Sequence, residues 1–90
     1  MTKKIIFMGT PIFCVPILKS LYQNGYNISV VYTQPPQKSH RGQKINKGPI
    51  QSISETLNIE YRTPKTLNDN HEEYEFLKEL NVDLAIVCGY

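Results

Sequence analysis

Three short apolar runs rich in β-branched residues constrain the fold of this chain more than any other feature. They occupy residues 4–8, 28–33 and 83–90, and turn-forming or polar residues flank them. Uninterrupted apolar runs of this length are typical of strands buried in a parallel sheet, because helices cover both faces of such a sheet. We therefore predict three buried strands here, with an additional short strand over residues 60–62.

The sequence between these strands has the spacing of amphipathic helices. After the first strand, apolar residues recur at offsets that place them on one helical face. These residues are Cys14, Ile17, Leu18, Leu21 and Tyr22. Pro16 suits the first turn of this helix, and Asn24 with Gly25 suits its end. A second helix is predicted from Pro49 to Leu57, again with proline in the first turn.

A third helix is predicted between the short strand and the last one. Asn70 is a candidate N-cap with Glu73 as its capping-box partner, and Asn81 marks the end of the helix. The residues expected to face the core are Tyr74, Leu77 and Leu80. The cluster of glutamates at the start of this helix is explained by the helix dipole and does not indicate a cation site.

The element order β-α-β-loop-α-β-α-β predicts an α/β fold with a doubly wound, mostly parallel sheet. Ligands of such open sheets lie beyond the carboxyl ends of the strands. Here the sequence stops at the end of the fourth strand, at Tyr90. We therefore expect residues 1–90 to be the first part of a larger domain, truncated after that strand.

Composition narrows the class of protein. Apolar residues make up 40% of the chain and charged residues 20%, as in ordinary folded domains. No apolar run is long enough for a membrane span or a signal peptide, so we expect a cytoplasmic protein without membrane contact. Cys14 and Cys88 match no metal-binding or redox spacing, and we expect two reduced thiols in the core.

Charge is distributed very unevenly along the chain. Residues 1–54 hold seven lysines and arginines and no acid, whereas residues 55–90 hold three basic residues and all eight acids. A half without any carboxylate indicates a polyanion as partner, either phosphate or nucleic acid.

Much of this basic charge falls in a long segment, residues 34–48, that contains little apolar sequence. A loop of this length in a compact domain is usually functional or disordered. Its basic side chains could contact backbone phosphates, and the alternative is a solvated insertion without a partner. Those side chains are Lys38, His40, Arg41, Lys44 and Lys47.

The turn Gly9-Thr10-Pro11 follows the first strand directly. It could present backbone N–H groups to an anion, or it could be a plain strand-to-helix connection, and the residues alone leave both open. A dinucleotide site is excluded, because the G-x-G-x-x-G spacing and the acid after the second strand are both lacking. His40 and His71 have no partners at metal-ligand spacing, so no metal site is predicted.

Several motifs together resemble one family. The turn region shares Gly9, Thr10, Pro11, Phe13, Val15, Pro16 and Leu18 with its opening motif. The long loop shares Thr33-Gln34-Pro35 and Arg41-Gly42-Gln43-Lys44, and the chain closes on a similar strand, residues 83–90. Along all ninety residues the chain resembles the amino-terminal part of the methionyl-tRNA formyltransferase family.

The resemblance implies an enzyme of one-carbon transfer, in a Rossmann-like formyltransferase fold. Members move a formyl group from the co-substrate 10-formyltetrahydrofolate to the amino group of methionyl initiator tRNA, which then starts translation. It implies that the basic loop meets the tRNA acceptor stem, with no role for DNA, a membrane or a metal. The implied tRNA-binding residues are Lys38, Arg41, Gly42, Lys44 and Lys47, and the implied substrate-end turn is Gly9, Thr10 and Pro11.

The departures from the family pattern bear on activity. Ile12 stands where the family has an acid, and Gln37-Lys38-Ser39-His40 precedes Arg41 in place of the usual loop sequence. The resemblance places the catalytic Asn, His and Asp, and the folate-binding loops, beyond Tyr90. Asn70-His71 has the wrong spacing to replace them.

We therefore expect residues 1–90 to be an incomplete catalytic domain that is inactive alone. The family's separate carboxyl-terminal tRNA-binding domain is also expected to be absent from them. The alternatives are a truncated, non-catalytic remnant without a role, and such a remnant that retains tRNA contact through residues 34–48.

Overall fold

A computed structural model describes residues 3–35, 47–66 and 70–90. In chain order the strands are β1 (Lys4–Gly9), β2 (Asn27–Tyr32), β3 (Tyr61–Arg62) and β4 (Leu84–Cys88). The helices are α1 (Val15–Gln23), preceded by a short 3-10 turn (Ile12–Cys14), then α2 (Pro49–Thr56) and α3 (His71–Leu80). Each predicted strand and helix is present, with ends shifted by one or two residues.

The four strands form one parallel sheet in the order β3-β2-β1-β4. β1 therefore lies between β2 and β4, so the chain first moves to one side of β1 and later crosses to the other. This reversal next to β1 is a topological switch point of the kind at which open α/β sheets bind ligands. The predicted α/β, doubly wound fold class is confirmed.

Two hydrophobic clusters cover the two faces of the sheet. On one face, α1 and α2 contribute Leu18 and Ile50, which pack with Phe7 and Val31 of the strands. On the other face, α3 packs against a cluster that includes Val30 of β2. Because successive residues of a strand point to opposite faces, the continuous apolar runs of β1 and β2 supply both clusters at once.

The prolines begin the helices as predicted. Pro16 and Pro49 each lie within the first two positions of a helix. The N–H groups there have no partner inside the helix, so the missing N–H of proline costs no hydrogen bond. The apolar stripe of α1 is only partly buried, however. Leu18 is fully buried, whereas Ile17 and Tyr22 are 41% and 45% exposed.

The start and end of α3 follow the predicted capping residues. The Asn70 side chain accepts a hydrogen bond from the Glu73 N–H at 3.1 Å. Asn81 ends the helix in the left-handed region, at φ 57°. The reciprocal half of the capping box is wrong, because the Glu73 carboxylate instead contacts Tyr32 and Arg62.

The prediction that Tyr74 faces the core is also wrong, since this side chain is 66% exposed. Leu77 and Leu80 do pack against the sheet, and Phe76 joins them. Glu73 occupies the buried face of the helix, and Tyr74, the next residue around the helix, points outward.

β4 differs most from its predicted environment. It was expected to be buried, yet Leu84 and Val87 are 51% and 64% exposed. Among the described residues β4 pairs with β1 on one edge, and its other edge has no neighbouring strand. The continuous apolar sequence of β4 predicts that other elements cover both faces of the strand. Residues 3–35, 47–66 and 70–90 do not supply that cover.

Candidate functional site at the carboxyl edge of the sheet

The carboxyl ends of β1, β2 and β4 meet at one edge of the sheet. Met8 is aligned with Tyr32 of β2, and Gly9 with Cys88 of β4. The next residues of all three strands therefore lie side by side at the switch point. This edge is the candidate functional site.

The end of β1 requires glycine because β4 approaches it closely. A Cβ atom at Gly9 would lie 2.9 Å from the Cys88 carbonyl oxygen and 2.9 Å from the Phe7 ring. Both distances are too short for a carbon contact, and the carbonyl oxygen belongs to backbone that cannot swing aside. Gly9 therefore sets how closely β1 and β4 pack at the site.

Gln34 joins the three strand ends. Its backbone N–H donates to the Thr10 hydroxyl oxygen at 3.2 Å, which links the segment after β2 to the turn after β1. Its side-chain amide donates to the Tyr90 carbonyl oxygen at 3.2 Å, which adds the segment after β4. Gln34 thus fixes the start of the basic segment at the candidate site.

The turn after β1 packs against the segment after β4. Gly89 has a φ of 64°, and a Cβ there would lie 3.2 Å from Pro11 and 3.3 Å from Phe13. Ile12 in this turn is 74% exposed. The edge of the turn that faces solvent is therefore apolar.

The two cysteines meet beneath this turn. The Cys14 thiol donates to the Cys88 carbonyl oxygen, and the two Sγ atoms lie 2.7 Å apart. Burial raises the pKa of the Cys14 thiol to about 11, with a smaller contribution from the neighbouring Cys88. Cys14 is a core thiol as predicted, whereas Cys88 is only half-buried.

A buried polar cluster lies behind the edge, on the α3 face. The Tyr32 hydroxyl donates to the Glu73 carboxylate, and Arg62 Nε donates to the same carboxylate at 3.0 Å. The Arg62 guanidinium also stacks 3.9 Å from the centre of the Phe76 ring. Burial, and then the Glu73 carboxylate, raise the pKa of Tyr32. This cluster fixes the end of β2 against β3 and α3.

Of the predicted tRNA-binding residues, only Lys47 lies within the described ranges. Its ammonium forms a 2.7 Å ion pair with Glu55 of α2, and this contact raises the pKa of Lys47. A phosphate would have to compete with Glu55 for Lys47. The other four predicted residues, which lie outside the described residues, are Lys38, Arg41, Gly42 and Lys44.

Sequence reasoning placed Gly9, Thr10 and Pro11 at this edge, and they lie there. It missed the part played by Gln34 and Tyr90, although the Thr33-Gln34-Pro35 motif already singled out the first of them. The pairing of Cys14 with Cys88 had no signal in their spacing, because it depends on the register of β1 with β4.

The described ranges contain no group of three or more His, Cys, Asp and Glu side chains that could hold a metal ion. Within the same ranges, no helix is long and apolar enough to cross a membrane. His71 is exposed at the start of α3, and His40 lies outside the described residues.

A separate hollow of about 500 Å³ lies at the opposite, amino-terminal edge of the sheet. Its lining includes Tyr22, Tyr26 and Asn27 on one side and Leu57 and Glu60 on the other. None of the predicted site residues lines it.

The fold and the switch point define a class of protein, an open parallel α/β domain with a ligand edge beside β1. Comparison with curated proteins is more specific. The chain is 67% identical over 90 residues to a methionyl-tRNA formyltransferase of Pelagibacter ubique, which covers the whole chain and 29% of that relative. It is 42% identical over 87 residues to the methionyl-tRNA formyltransferase of Gluconacetobacter diazotrophicus, covering 97% of the chain and 28% of the relative.

The methionyl-tRNA formyltransferase of Mesorhizobium japonicum is 43% identical over 91 aligned positions, again with the whole chain covered. No family model matches the chain. The chain spans just under a third of the length of these curated relatives. Its resemblance to the amino-terminal part of methionyl-tRNA formyltransferase is thereby confirmed.

Proposed function

We propose that this chain is the amino-terminal part of the catalytic domain of a methionyl-tRNA formyltransferase. The intact protein would move a formyl group from 10-formyltetrahydrofolate to the amino group of methionyl initiator tRNA, in the cytoplasm, for translation initiation. The observation that carries the proposal is the 67% identity to a protein of that name along the entire chain.

The carboxyl edge suits the substrate end of such an enzyme. Thr10 and Gln34 place a hydroxyl and a carboxamide at the switch point, and Gly9 allows β4 to approach closely. In this proposal Gly9, Thr10 and Pro11 bound the substrate end, and Gln34 positions the root of the tRNA-binding segment against them.

The described edge does not by itself fit the chemistry of the folate co-substrate. The thiol of Cys14 is buried with a raised pKa, and Glu73 is occupied by Tyr32 and Arg62. Neither Cys14 nor Glu73 is thus free to relay a proton during acyl transfer. We therefore assign none of residues 1–90 a catalytic role, and we place the catalytic Asn, His and Asp beyond Tyr90.

The basic segment is proposed to contact the acceptor stem of the tRNA. Lys38, Arg41 and Lys44 would neutralise phosphates, with Gly42 allowing close approach of the backbone. Since Gln34 fixes the start of this segment beside Thr10, a tRNA held there would have its acceptor end near the candidate site. Lys47 would contact a phosphate of the tRNA only if it gave up its ion pair with Glu55.

The test is formylation by the intact protein, with purified methionyl initiator tRNA and 10-formyltetrahydrofolate. We expect formyl-methionyl-tRNA to form, and Arg41→Ala to raise the KM for tRNA by about tenfold, as expected for the loss of one charged contact. Arg41→Lys keeps the positive charge but removes the two-pronged hydrogen bonding of the guanidinium, so it shows which of the two the tRNA contact needs. Lys19→Ala, which removes an exposed charge on α1, is the matched control and should change KM little.

Formylation without any effect of Arg41→Ala would refute the proposed tRNA contact while leaving the enzyme class intact. No formylation by the intact protein would refute the enzyme class itself.

Residues 1–90 as a separate polypeptide should give no formylation above background, because the proposed catalytic groups are not among them. If the chain keeps only RNA contact, its tRNA binding should weaken steeply with salt, since each phosphate contact releases counterions. Formylation by the separate polypeptide that Arg41→Ala abolishes would overturn this expectation.

A further inference from the structure

Cys14 and Cys88 form a dithiol that the fold assembles from the two ends of the chain. Their Sγ atoms are in contact, at 2.7 Å. Both are free thiols in the structure. The contact arises because Gly9 of β1 is aligned with Cys88 of β4, while the turn after β1 brings Cys14 back over that pair.

The two thiols differ in access. Cys14 is fully buried in the cluster beneath α1 and α2. Cys88 is half-buried on β4, whose outer edge has no neighbouring strand among the described residues. Cys88 is therefore the more accessible of the two thiols, whereas Cys14 becomes accessible only when the fold opens.

We propose that Cys14 and Cys88 are an oxidation site, at which a low-molecular-weight disulfide such as oxidised glutathione converts the two thiols into one intramolecular disulfide bond. The proposal does not depend on formyl transfer. It rests on the contact between the sulfurs and on the difference in their access.

The reaction proceeds in two exchanges. The Cys88 thiolate attacks one sulfur of oxidised glutathione, which forms a mixed disulfide on Cys88 and releases one glutathione. Cys14 then loses its proton and attacks the Cys88 sulfur, which forms the Cys14–Cys88 bond and releases the second glutathione. The protein loses two electrons and two protons, and one oxidised glutathione becomes two reduced molecules.

The environment of Cys14 makes its step the slower one. The raised pKa leaves little Cys14 thiolate at neutral pH, and the thiolate is the attacking species. Proximity offsets this, because the Cys88 sulfur already lies within contact distance of Cys14.

The disulfide would tie the turn after β1 to the end of β4. It would close a loop spanning nearly the whole chain, and cross-links across long loops restrict the unfolded state most. The oxidised protein should therefore unfold at a higher temperature than the reduced protein.

The test incubates the intact native protein with oxidised glutathione, blocks remaining thiols with N-ethylmaleimide, and maps the peptides by mass spectrometry. We expect a peptide pair joined through Cys14 and Cys88, which reduction with dithiothreitol separates. The same incubation in urea should form this pair more slowly, because unfolding separates the sulfurs. No such pair in the native protein, or faster formation in urea, would overturn the proposal.

Two variants test the order of the exchanges. Cys14→Ser should hold glutathione on Cys88 as a stable mixed disulfide, because the second thiol is missing. Cys88→Ser should leave Cys14 unmodified, because the buried thiol cannot be reached. Glutathione on Cys14 in native Cys88→Ser would contradict the proposed route, and a circular dichroism spectrum of each variant checks that it is folded.

Discussion

At the scale of single residues, the buried carboxylate of Glu73 holds three elements together. It accepts from Tyr32 of β2 and Arg62 of β3, while its own N–H is bonded to Asn70 at the start of α3. Removal of its charge leaves the half-buried Arg62 with only its longer 3.7 Å ion pair to the exposed Glu60, and such changes are costly because the remaining charge stays partly desolvated.

Glu73→Gln should therefore lower the free energy of unfolding by about 1–3 kcal/mol, without loss of the backbone cap from Asn70. The measurement is urea unfolding of the intact protein followed by circular dichroism. Glu72→Gln is the matched control, because Glu72 is exposed in the same helical turn, and it should cost less than about 0.5 kcal/mol. Equal losses in the two variants would contradict the role given to Glu73.

Two buried side chains, Cys14 and Tyr32, influence the stability of the protein at high pH. Burial raises the pKa of the Cys14 thiol from 9.0 to about 11 and also raises the pKa of Tyr32. A raised pKa in the folded state means that the unfolded state loses its proton first as pH rises. The contribution of Cys14 is thus full below about pH 9 and is lost towards pH 11, and that of Tyr32 is lost above about pH 10.

The free energy of unfolding, measured under reducing conditions, should therefore fall as pH rises from 9. Cys14→Ala should flatten the fall between pH 9 and 11, and Tyr32→Phe should flatten the part above pH 10. Each variant has its own baseline stability, so the slopes against pH are what is compared. An unchanged slope in both variants would show that neither buried group governs alkaline unfolding.

At the scale of elements, the junction of β1 with β4 depends on the absence of a side chain at Gly9. Gly9→Ala would bring a methyl group within 2.9 Å of the Cys88 carbonyl oxygen, so the two strands must separate. We expect a loss of about 1–3 kcal/mol, as for an overpacked core. Gly48→Ala is the control, because no atom lies within 4 Å of a Cβ at that position.

Gly48 is the N-cap of α2, where alanine is less favourable than glycine, so its replacement by alanine should cost about 0.5–1 kcal/mol without any steric clash. Thermal unfolding of both variants makes the comparison. A Gly9→Ala protein as stable as Gly48→Ala would mean that β1 and β4 can move apart freely.

Elements were predictable from the sequence where local pattern decides them. The runs that became β1 and β2 sit between helices, so their apolar sequence and their burial agree. β4 has the same kind of sequence, but burial depends on neighbours, and its outer edge has none among the described residues. Tyr74 was misplaced because helical spacing alone gave no sign that an acid, Glu73, would occupy the inner face.

At the scale of the whole molecule, the sequence predicts the edge at which the parallel strands end, but not the contacts made there. The alternation of strands and helices predicts the carboxyl edge, because every parallel strand ends there. The bond from Gln34 to Tyr90 and the contact of Cys14 with Cys88 join residues far apart in sequence. Such contacts follow from the strand order, which a local pattern does not contain.

The distribution of charge along the sequence likewise does not show which charged residues meet in the fold. The acid-free first half of the chain contacts the acidic second half in the fold: the Lys4 backbone N–H donates to Asp83 at 2.7 Å, and its ammonium donates to the Leu80 carbonyl oxygen at 2.9 Å. Lys47 likewise pairs with Glu55. Three of the seven basic residues of that half, Lys38, Arg41 and Lys44, fall between Gln34 and Lys47 in the sequence.

The open edge of β4 governs how the molecule behaves when residues 1–90 are produced alone. An exposed apolar strand with unpaired backbone groups is a template for pairing with a second chain. We expect this polypeptide to self-associate as its concentration rises, as measured by sedimentation velocity. Val87→Lys, which places a charge on the exposed strand, should shift the distribution towards monomer.

Tyr74→Lys is the matched control, because Tyr74 is about as exposed as Val87 but lies on α3. If association proceeds through the β4 edge, this variant should associate like the original sequence. Equal effects of the two lysines would point to general apolar exposure, and a monomer at every concentration would show that the edge is protected without further chain. Association that Val87→Lys alone suppresses would locate the self-association surface on β4.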